Sequence, residues 1–268
     1  MATLQDRRAV LLDIDGTTLL GTGALPGARA LVDDLRERSV PLVWLTNNTS
    51  RSRDAWCARL ADAGFDPRPD ELYTAGDATI DFLKGKDPRP SVWLVGPPGL
   101  ADDFTSAGLV IDDAHPDVVV LAYDTTLTYD RIARTAHLLQ AGLPYIATHP
   151  DPTCPDPDGP LPDVGSFIAM FDVACGRRPT VIGKPEPAMI HQVLARLGVA
   201  PGDALMIGDR LATDIRMANS AGVPSCLVLT GATSAEDVGH APAADRPDQV
   251  LASLRDLLFR ERGPPRPL

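Results

Sequence analysis

Short apolar runs alternate along the chain with segments whose apolar positions fall three and four residues apart. The runs predict strands at residues 9–13, 40–45, 91–95, 117–122, 145–148, 204–208 and 225–229. The helical spacing predicts helices at 26–38, 52–63, 77–84, 129–141, 185–197, 213–221 and 247–258, with another between the strands at 91–95 and 117–122. In segment 26–38, Ala30, Leu31 and Leu35 share one face, and Pro26 suits a first turn. Gly64, Gly142 and Gly198 follow three of these helices, where a reversing chain favours glycine. The strands are apolar throughout rather than alternating, so both of their faces are expected to be covered. This alternation predicts an α/β fold on a doubly wound parallel sheet. Ligands of such sheets sit at the carboxyl ends of the strands, which directs attention to the residues just after each run.

Two stretches break the pattern. Residues 151–162 are rich in Pro, Asp and Gly and read as an irregular, functional loop. Residues 261–268, with three prolines and a glycine, read as a flexible tail.

The chain has 268 residues, 44% of them hydrophobic and 23% charged, and a formal net charge of −11. That length allows one large domain or two modest ones, with a core that needs no disulfide. The apolar content argues against disorder. No run approaches the ~18 apolar residues of a membrane span. The apolar stretch after Arg7-Arg8 stops at Asp13, too short for a secretory signal. The acidic balance argues against a nucleic-acid partner, whose backbone rewards basic surfaces. It leaves a small anionic substrate open, because that recognition is local. Cys57, Cys154, Cys175 and Cys226 lack the close pairing of a zinc site and read as reduced thiols of a cytoplasmic protein.

Four strand ends carry polar clusters. Asp13-Ile14-Asp15-Gly16-Thr17 follows the first. Its two carboxylates could act as nucleophile and as proton donor and acceptor, or hold Mg2+ through oxygen; an ordinary turn uses the same residue types. Thr46-Asn47-Asn48-Thr49-Ser50 offers hydroxyl, amide and backbone donors ahead of a helix, suited to an anion or simply to capping that helix. Lys184, in Gly183-Lys184-Pro185, could neutralise a phosphate or be an ordinary surface lysine. It is not a P-loop lysine, since Arg178 and Pro185 stand where that motif needs Gly and Ser or Thr. Asp209 is a candidate metal ligand. Asp214, five residues on, could support Lys184 or a metal-bound water from behind, or complement a helix dipole.

Together DIDGTT, LTNNTS, GKPEP and GDRLATDI resemble the four ordered motifs of the haloacid dehalogenase (HAD) superfamily, over roughly residues 10–258. GKPEPAM and THPDPT resemble its NagD-like phosphatase branch. The resemblance implies a Rossmannoid core and a Mg2+-dependent phosphatase with a phosphoaspartate intermediate. It implies Asp13 as nucleophile and metal ligand, and Asp15 as general acid and base with its backbone carbonyl on the metal. Thr46 and Asn47 would bind the phosphoryl group, Lys184 would neutralise it, Asp209 would complete the metal contacts and Asp214 would support them. His149 stands where the branch usually has asparagine before Pro-Asp; a structural histidine at a strand end is the plainer reading.

The stretch from Thr46 to Lys184 is roughly ten times the dozen residues that a βαβ crossover needs. It is expected to hold an inserted α/β cap at 76–178, leaving a discontinuous core of 1–75 and 179–268. In the NagD-like branch this insert covers the active site and chooses the leaving group. Asp163, Gly165 and Ser166, leading into a helix at 167–174, are the candidates for substrate specificity. The expected partner is a small phosphorylated metabolite, and the resemblance also allows a homodimer through the cap. A dehalogenase or phosphomutase on the same scaffold, and a non-hydrolytic phosphate-binding or phospho-receiver protein, are the competing readings. Asp15 and Asp209 together favour metal and phosphate over dehalogenation.

Overall fold

The computed structural model describes residues 4, 6–156 and 158–262. The strands are β1 (Ala9–Asp13), β2 (Leu19–Leu20), β3 (Gly23–Ala24), β4 (Leu42–Thr46), β5 (Leu72–Thr74), β6 (Val92–Val95), β7 (Val118–Leu121), β8 (Tyr145–Ala147), β9 (Thr153–Cys154), β10 (Leu161–Pro162), β11 (Thr180–Val181), β12 (Ala204–Gly208), β13 (Ser225–Val228) and β14 (Gln249–Leu251). The α-helices are α1 (Ala28–Glu37), α2 (Arg53–Asp62), α3 (Ala75–Lys84), α4 (Pro98–Ser106), α5 (Tyr129–Gln140), α6 (Val164–Cys175), α7 (Ala188–Leu197), α8 (Arg216–Ala221), α9 (Ala235–His240) and α10 (Leu254–Arg262). None is long and apolar enough to cross a membrane.

The chain divides into two compact units. One comprises Met1–Thr46, Cys57–Tyr73 and Pro185–Leu268; the other comprises Asn47–Trp56 and Thr74–Lys184.

The first unit is built on the sheet β14-β13-β12-β1-β4-β5. The pairs from β14 through β4 are parallel. Every residue of β1, β4 and β12 is buried, as expected of central strands covered on both faces. The register sets Leu12 opposite Ile207 and Asp13 opposite Leu45, so the carboxyl ends of these three strands lie level. Helix α1 turns Leu31, Val32 and Leu35 inward.

The second unit has its own parallel sheet, β11-β8-β7-β6. Its core is formed by Val95, Val119, Leu121, Leu139, Val164 and Phe171 among others. Helix α3 starts at a reciprocal cap between Thr74 and Asp77, and α6 starts at Asp163 and ends at Gly176 in the left-handed region.

The structure corrects the sequence expectations in three places. The helix expected at 247–258 begins only at Leu254, because Gln249–Leu251 pairs with β13 as an edge strand. Three residues carry too little pattern to announce a strand, and the neighbouring strand decides. The loop at 151–162 contains a small antiparallel hairpin, β9 with β10, despite its prolines; Pro162 ends a two-residue strand, where a missing N–H costs little. The helix expected from Phe167 starts three residues earlier, at Val164. In the tail, α10 continues to Arg262, and residues 263–268 lie outside the described residues.

Candidate active site

In the first unit the strand-end acids converge. Asp13 closes β1, Asp209 follows β12 directly, and Asp214 lies in a single π-helical turn at Leu211–Ile215. Each offers a carboxylate oxygen, these oxygens lie within 4.8 Å of one another, and all three residues are buried. Three like charges held that close, away from water, repel one another strongly. Hard oxygen donors in such a group suit a small divalent cation, which removes the repulsion. Asp214, expected to act from behind, therefore presents its carboxylate alongside the other two.

The surrounding backbone fixes these groups. Thr18 Oγ1 donates to the Asp13 carbonyl at 2.6 Å, and Thr230 Oγ1 donates to the Gly16 carbonyl at 2.7 Å. The Ala232 N–H donates to Asp209 Oδ2 at 2.6 Å, and the Arg210 N–H to Asp214 Oδ2 at 3.1 Å. Gly16 has φ +90°, and a Cβ there would lie 2.5 Å from Asp209 Oδ2. Glycine is required at this turn both for its φ and for the close approach. Thr46, the last residue of β4, is buried at the neighbouring strand end.

Asp15 stands outside the three-acid group. Its Oδ1 lies 2.7 Å from Arg59 on α2, whose Nη2 also donates to the Gly21 carbonyl. Arg59 was not legible as a site residue, because it reads as an ordinary helix-surface cation. The segment Thr230-Gly231-Ala232, which borders Asp209, was missed too; its one signal was its place just beyond a strand end.

In the second unit Asn47 and Lys184 are brought together from 137 positions apart. The Lys184 N–H donates to Asn47 Oδ1 at 2.8 Å, and Asn47 Nδ2 donates to the Lys184 carbonyl at 3.0 Å. Lys184 is 2% exposed, so it is not the solvated surface lysine that the sequence also allowed. Asn47 Nδ2 donates in addition to Asp151 Oδ2 at 3.0 Å.

The three specificity candidates all act on the segment around Asp151. Asp163 is buried and accepts from the Val164 N–H at 2.6 Å. The Gly165 N–H donates to the Asp151 carbonyl at 2.8 Å, and a Cβ on Gly165 would lie 2.3 Å from the Pro150 carbonyl oxygen. Ser166 Oγ donates to the Pro152 carbonyl at 2.7 Å. Tyr123, in the same neighbourhood, has its phenol pushed up from the usual tyrosine range by burial first, and then by Cys154 and Asp163.

Fold and site thus define an α/β protein with three buried carboxylates, able to hold a cation, at the carboxyl edge of a parallel sheet. Comparison with known proteins agrees. A haloacid dehalogenase-like hydrolase family model matches residues 10–110, and a HAD-hydrolase-like model matches residues 181–257. The chain is 34% identical over 236 residues to an acid sugar phosphatase of Staphylococcus aureus, covering 88% of this chain and 91% of that protein. The crystal structure of a 4-nitrophenylphosphatase from Thermotoga maritima superimposes with a TM-score of 0.90 at 38% identity, covering 94% of this chain and 96% of that one. NagD from E. coli K-12 gives 0.85 at 30% identity, covering 93% and 98%. A glycerol phosphate phosphatase from Mycobacterium tuberculosis, in complex with magnesium, gives 0.86 at 36% identity, covering 94% and 77%. The chain belongs to the haloacid dehalogenase-like hydrolases, in their NagD-like phosphatase branch.

Proposed function

We propose that this phosphatase hydrolyses phosphomonoesters of small metabolites, sugar phosphates among them, through a phosphoaspartate on Asp13 and with Mg2+ as cofactor. The observation that carries the reading is the buried group Asp13, Asp209 and Asp214, whose oxygens lie within 4.8 Å of one another. Asp13, Asp209 and the backbone carbonyl of Asp15 would hold the ion, with Asp214 beside them. When bound, the ion offsets the negative charge of the acids and of the phosphoryl group.

The rest is done by the chain itself. One Asp13 carboxylate oxygen attacks phosphorus while the ester oxygen leaves, and the Asp15 carboxyl gives that oxygen its proton. Asp15, now ionised, takes a proton from the water that attacks the acyl phosphate, which returns Asp13 as a carboxylate and releases inorganic phosphate. Because Asp15 is paired with Arg59 in this structure, the pair must open before Asp15 can carry a proton to the leaving group. Thr46 and Asn47 bind the phosphoryl oxygens and Lys184 offsets their charge, roles carried by the order of the motifs.

Two further parts of the reading concern the rest of the chain. Residues 76–178 form a cap inserted into a core of 1–75 and 179–268, and Asp163, Gly165 and Ser166 shape the cap segment that meets the substrate. The relatives' names support a sugar-phosphate class: one is an acid sugar phosphatase and another a glycerol phosphate phosphatase.

The test is hydrolysis of 4-nitrophenyl phosphate and of a sugar-phosphate panel, with and without Mg2+. Activity is expected only with the metal, and Asp13→Asn should abolish it. Acid-quenched wild type should carry one phosphoryl group that the variant lacks. Turnover that survives Asp13→Asn would overturn the reading.

A further inference from the structure

We propose that His149 acts as a doubly protonated imidazolium that joins Asp151 to Asp163 and thereby positions Asn47 and Lys184. The inference rests on the reading of Asn47 and Lys184 as phosphate-binding residues.

His149 is wholly buried, two residues past β8. Its Nδ1 lies 3.5 Å from Asp151 Oδ2 and its Nε2 lies 3.7 Å from Asp163 Oδ1, ion-pair contacts outside hydrogen-bond geometry. Asp163 is buried, its side chain 5% exposed, and Asp151 is partly buried, its side chain 14% exposed. A neutral imidazole has one N–H, so it would serve one carboxylate and turn a lone pair towards the other. Only the imidazolium faces both acids with a donor. It also places one positive charge between a buried and a partly buried carboxylate, whose two negative charges oppose the cost of burying the imidazolium.

The consequence reaches Asn47. Asp151 Oδ2, the oxygen that faces the ring, also accepts from Asn47 Nδ2 at 3.0 Å. That contact sets which end of the amide is which, so that Oδ1 accepts from the Lys184 N–H and Nδ2 reaches the Lys184 carbonyl. On the other side, Asp163 Oδ1 caps α6 through the Val164 N–H. The ring therefore links the start of a helix in this unit to the Asn47–Lys184 pair. The other titratable groups nearby are Tyr123, whose phenol is held neutral by burial and by Asp163, and the Cys154 thiol against it, with Asp156 farther out. Lys184, whose backbone is held by the same Asn47 amide, is another cation of this unit, and His149 is the one whose ring lies between the two carboxylates. His149 does not touch the reacting atoms and is a positioning residue.

The test uses the full chain with Mg2+. Imidazole nitrogen signals and the Asn47 side-chain amide are followed by NMR from about pH 5.5 to about pH 9.5. Steady-state kinetics on 4-nitrophenyl phosphate are measured over the same range for wild type, His149→Gln and Asp163→Asn. Both His149 nitrogens should carry protons at neutral pH, and the Asn47 amide should shift at the midpoint of His149. His149→Gln should erase that step and raise KM about fivefold to tenfold, the worth of the Asn47–Asp151 hydrogen bond that the ring orients, with kcat changed less than about twofold. Asp163→Asn, the safer variant for folding, should move the His149 midpoint downward by removing one of its two anions. A single protonated nitrogen at neutral pH, or an Asn47 amide that ignores the His149 titration, overturns the inference and leaves the phosphatase reading standing. An imidazolium that Asn47 follows, in a protein that hydrolyses no phosphomonoester, overturns the phosphatase reading and supports the coupling.

Discussion

Gly231 approaches Asp209 so closely that a Cβ on the glycine would lie 2.0 Å from the carboxylate Oδ2. Gly16 closes on the same oxygen from another side, at 2.5 Å. The Asp209 carboxylate thus sits in a slot that only glycines can form, while the Ala232 N–H holds it at 2.6 Å. Gly231→Ala must push that carboxylate out of place. The variant should lose about 1–3 kcal/mol of stability from overpacking. It should also need roughly tenfold to a hundredfold more Mg2+ for half-maximal activity, the usual loss when a ligand is misoriented. Thermal melts and Mg2+ titrations check both. An unchanged Mg2+ requirement would remove Asp209 from the cation site.

The metal should also act on stability directly. A ligand that binds only the folded state stabilises it, by about 2.7 kcal/mol at a hundredfold excess over its dissociation constant. Wild type should therefore melt higher in saturating Mg2+. Asp209→Asn should melt at the same temperature with or without it, and in metal-free buffer it should melt above wild type, because one of three mutually repelling buried charges is gone. A metal-free Asp209→Asn that melts below wild type would show that the hydrogen bond to Ala232 outweighs the repulsion.

Lys184→Met separates charge from packing. The side chain is nearly inaccessible to water, and methionine fills much of its volume. The backbone bonds between Asn47 and residue 184 do not depend on the side chain and should persist. We expect kcat/KM for 4-nitrophenyl phosphate to fall by about 10²–10³, comparable to the loss of one preorganised electrostatic contact, with the fold retained by circular dichroism. A fall of less than about threefold would contradict the assigned role.

Tyr145 offers a stability test away from the chemistry. Its hydroxyl is buried with no hydrogen-bond partner among the described residues, and its ring packs edge-on against Phe171 at 6.4 Å. Burial first, and then Cys175, pushes its phenol up from the usual tyrosine range. The folded phenol therefore keeps its proton beyond about pH 10, where the unfolded one releases it. Its contribution to stability is complete below about pH 10 and declines as pH rises further. Tyr145→Phe keeps the ring contact and removes an unsatisfied hydroxyl. It should be as stable as wild type or up to about 1 kcal/mol more stable at pH 8, and its advantage should widen at pH 10.5. Denaturant melts at the two pH values measure this; a variant clearly weaker at pH 8 would mean the hydroxyl has a partner.

Much of the molecule could be read from the chain alone. Apolar runs covered on both sides announce central parallel strands, and β1 and β12 have the expected bounds. The acids at their ends follow from that placement, because a strand direction and a register suffice to bring Asp13 and Asp209 to one edge. What the sequence determined is therefore the local pattern and the order of the candidate groups: Asp13, Asp15, Thr46, Asn47, Lys184, Asp209 and Asp214.

Tertiary structure decided the rest, because those features depend on which distant segments meet. Gln249–Leu251 is a strand only because β13 offers it an edge. Asp214 joins Asp13 and Asp209 because a π-helical turn carries its carboxylate there. Arg59 is an unremarkable helical cation until the loop after β1 brings Asp15 to within 2.7 Å of it. His149 looks like a strand-end histidine until the segments carrying Asp151 and Asp163 bring a carboxylate to each of its ring nitrogens. In each case the residue type is common and its neighbours lie far off in sequence or are set by the path of a loop. The sequence carries the groups, and the packing of the chain gives them their partners and their charge environment.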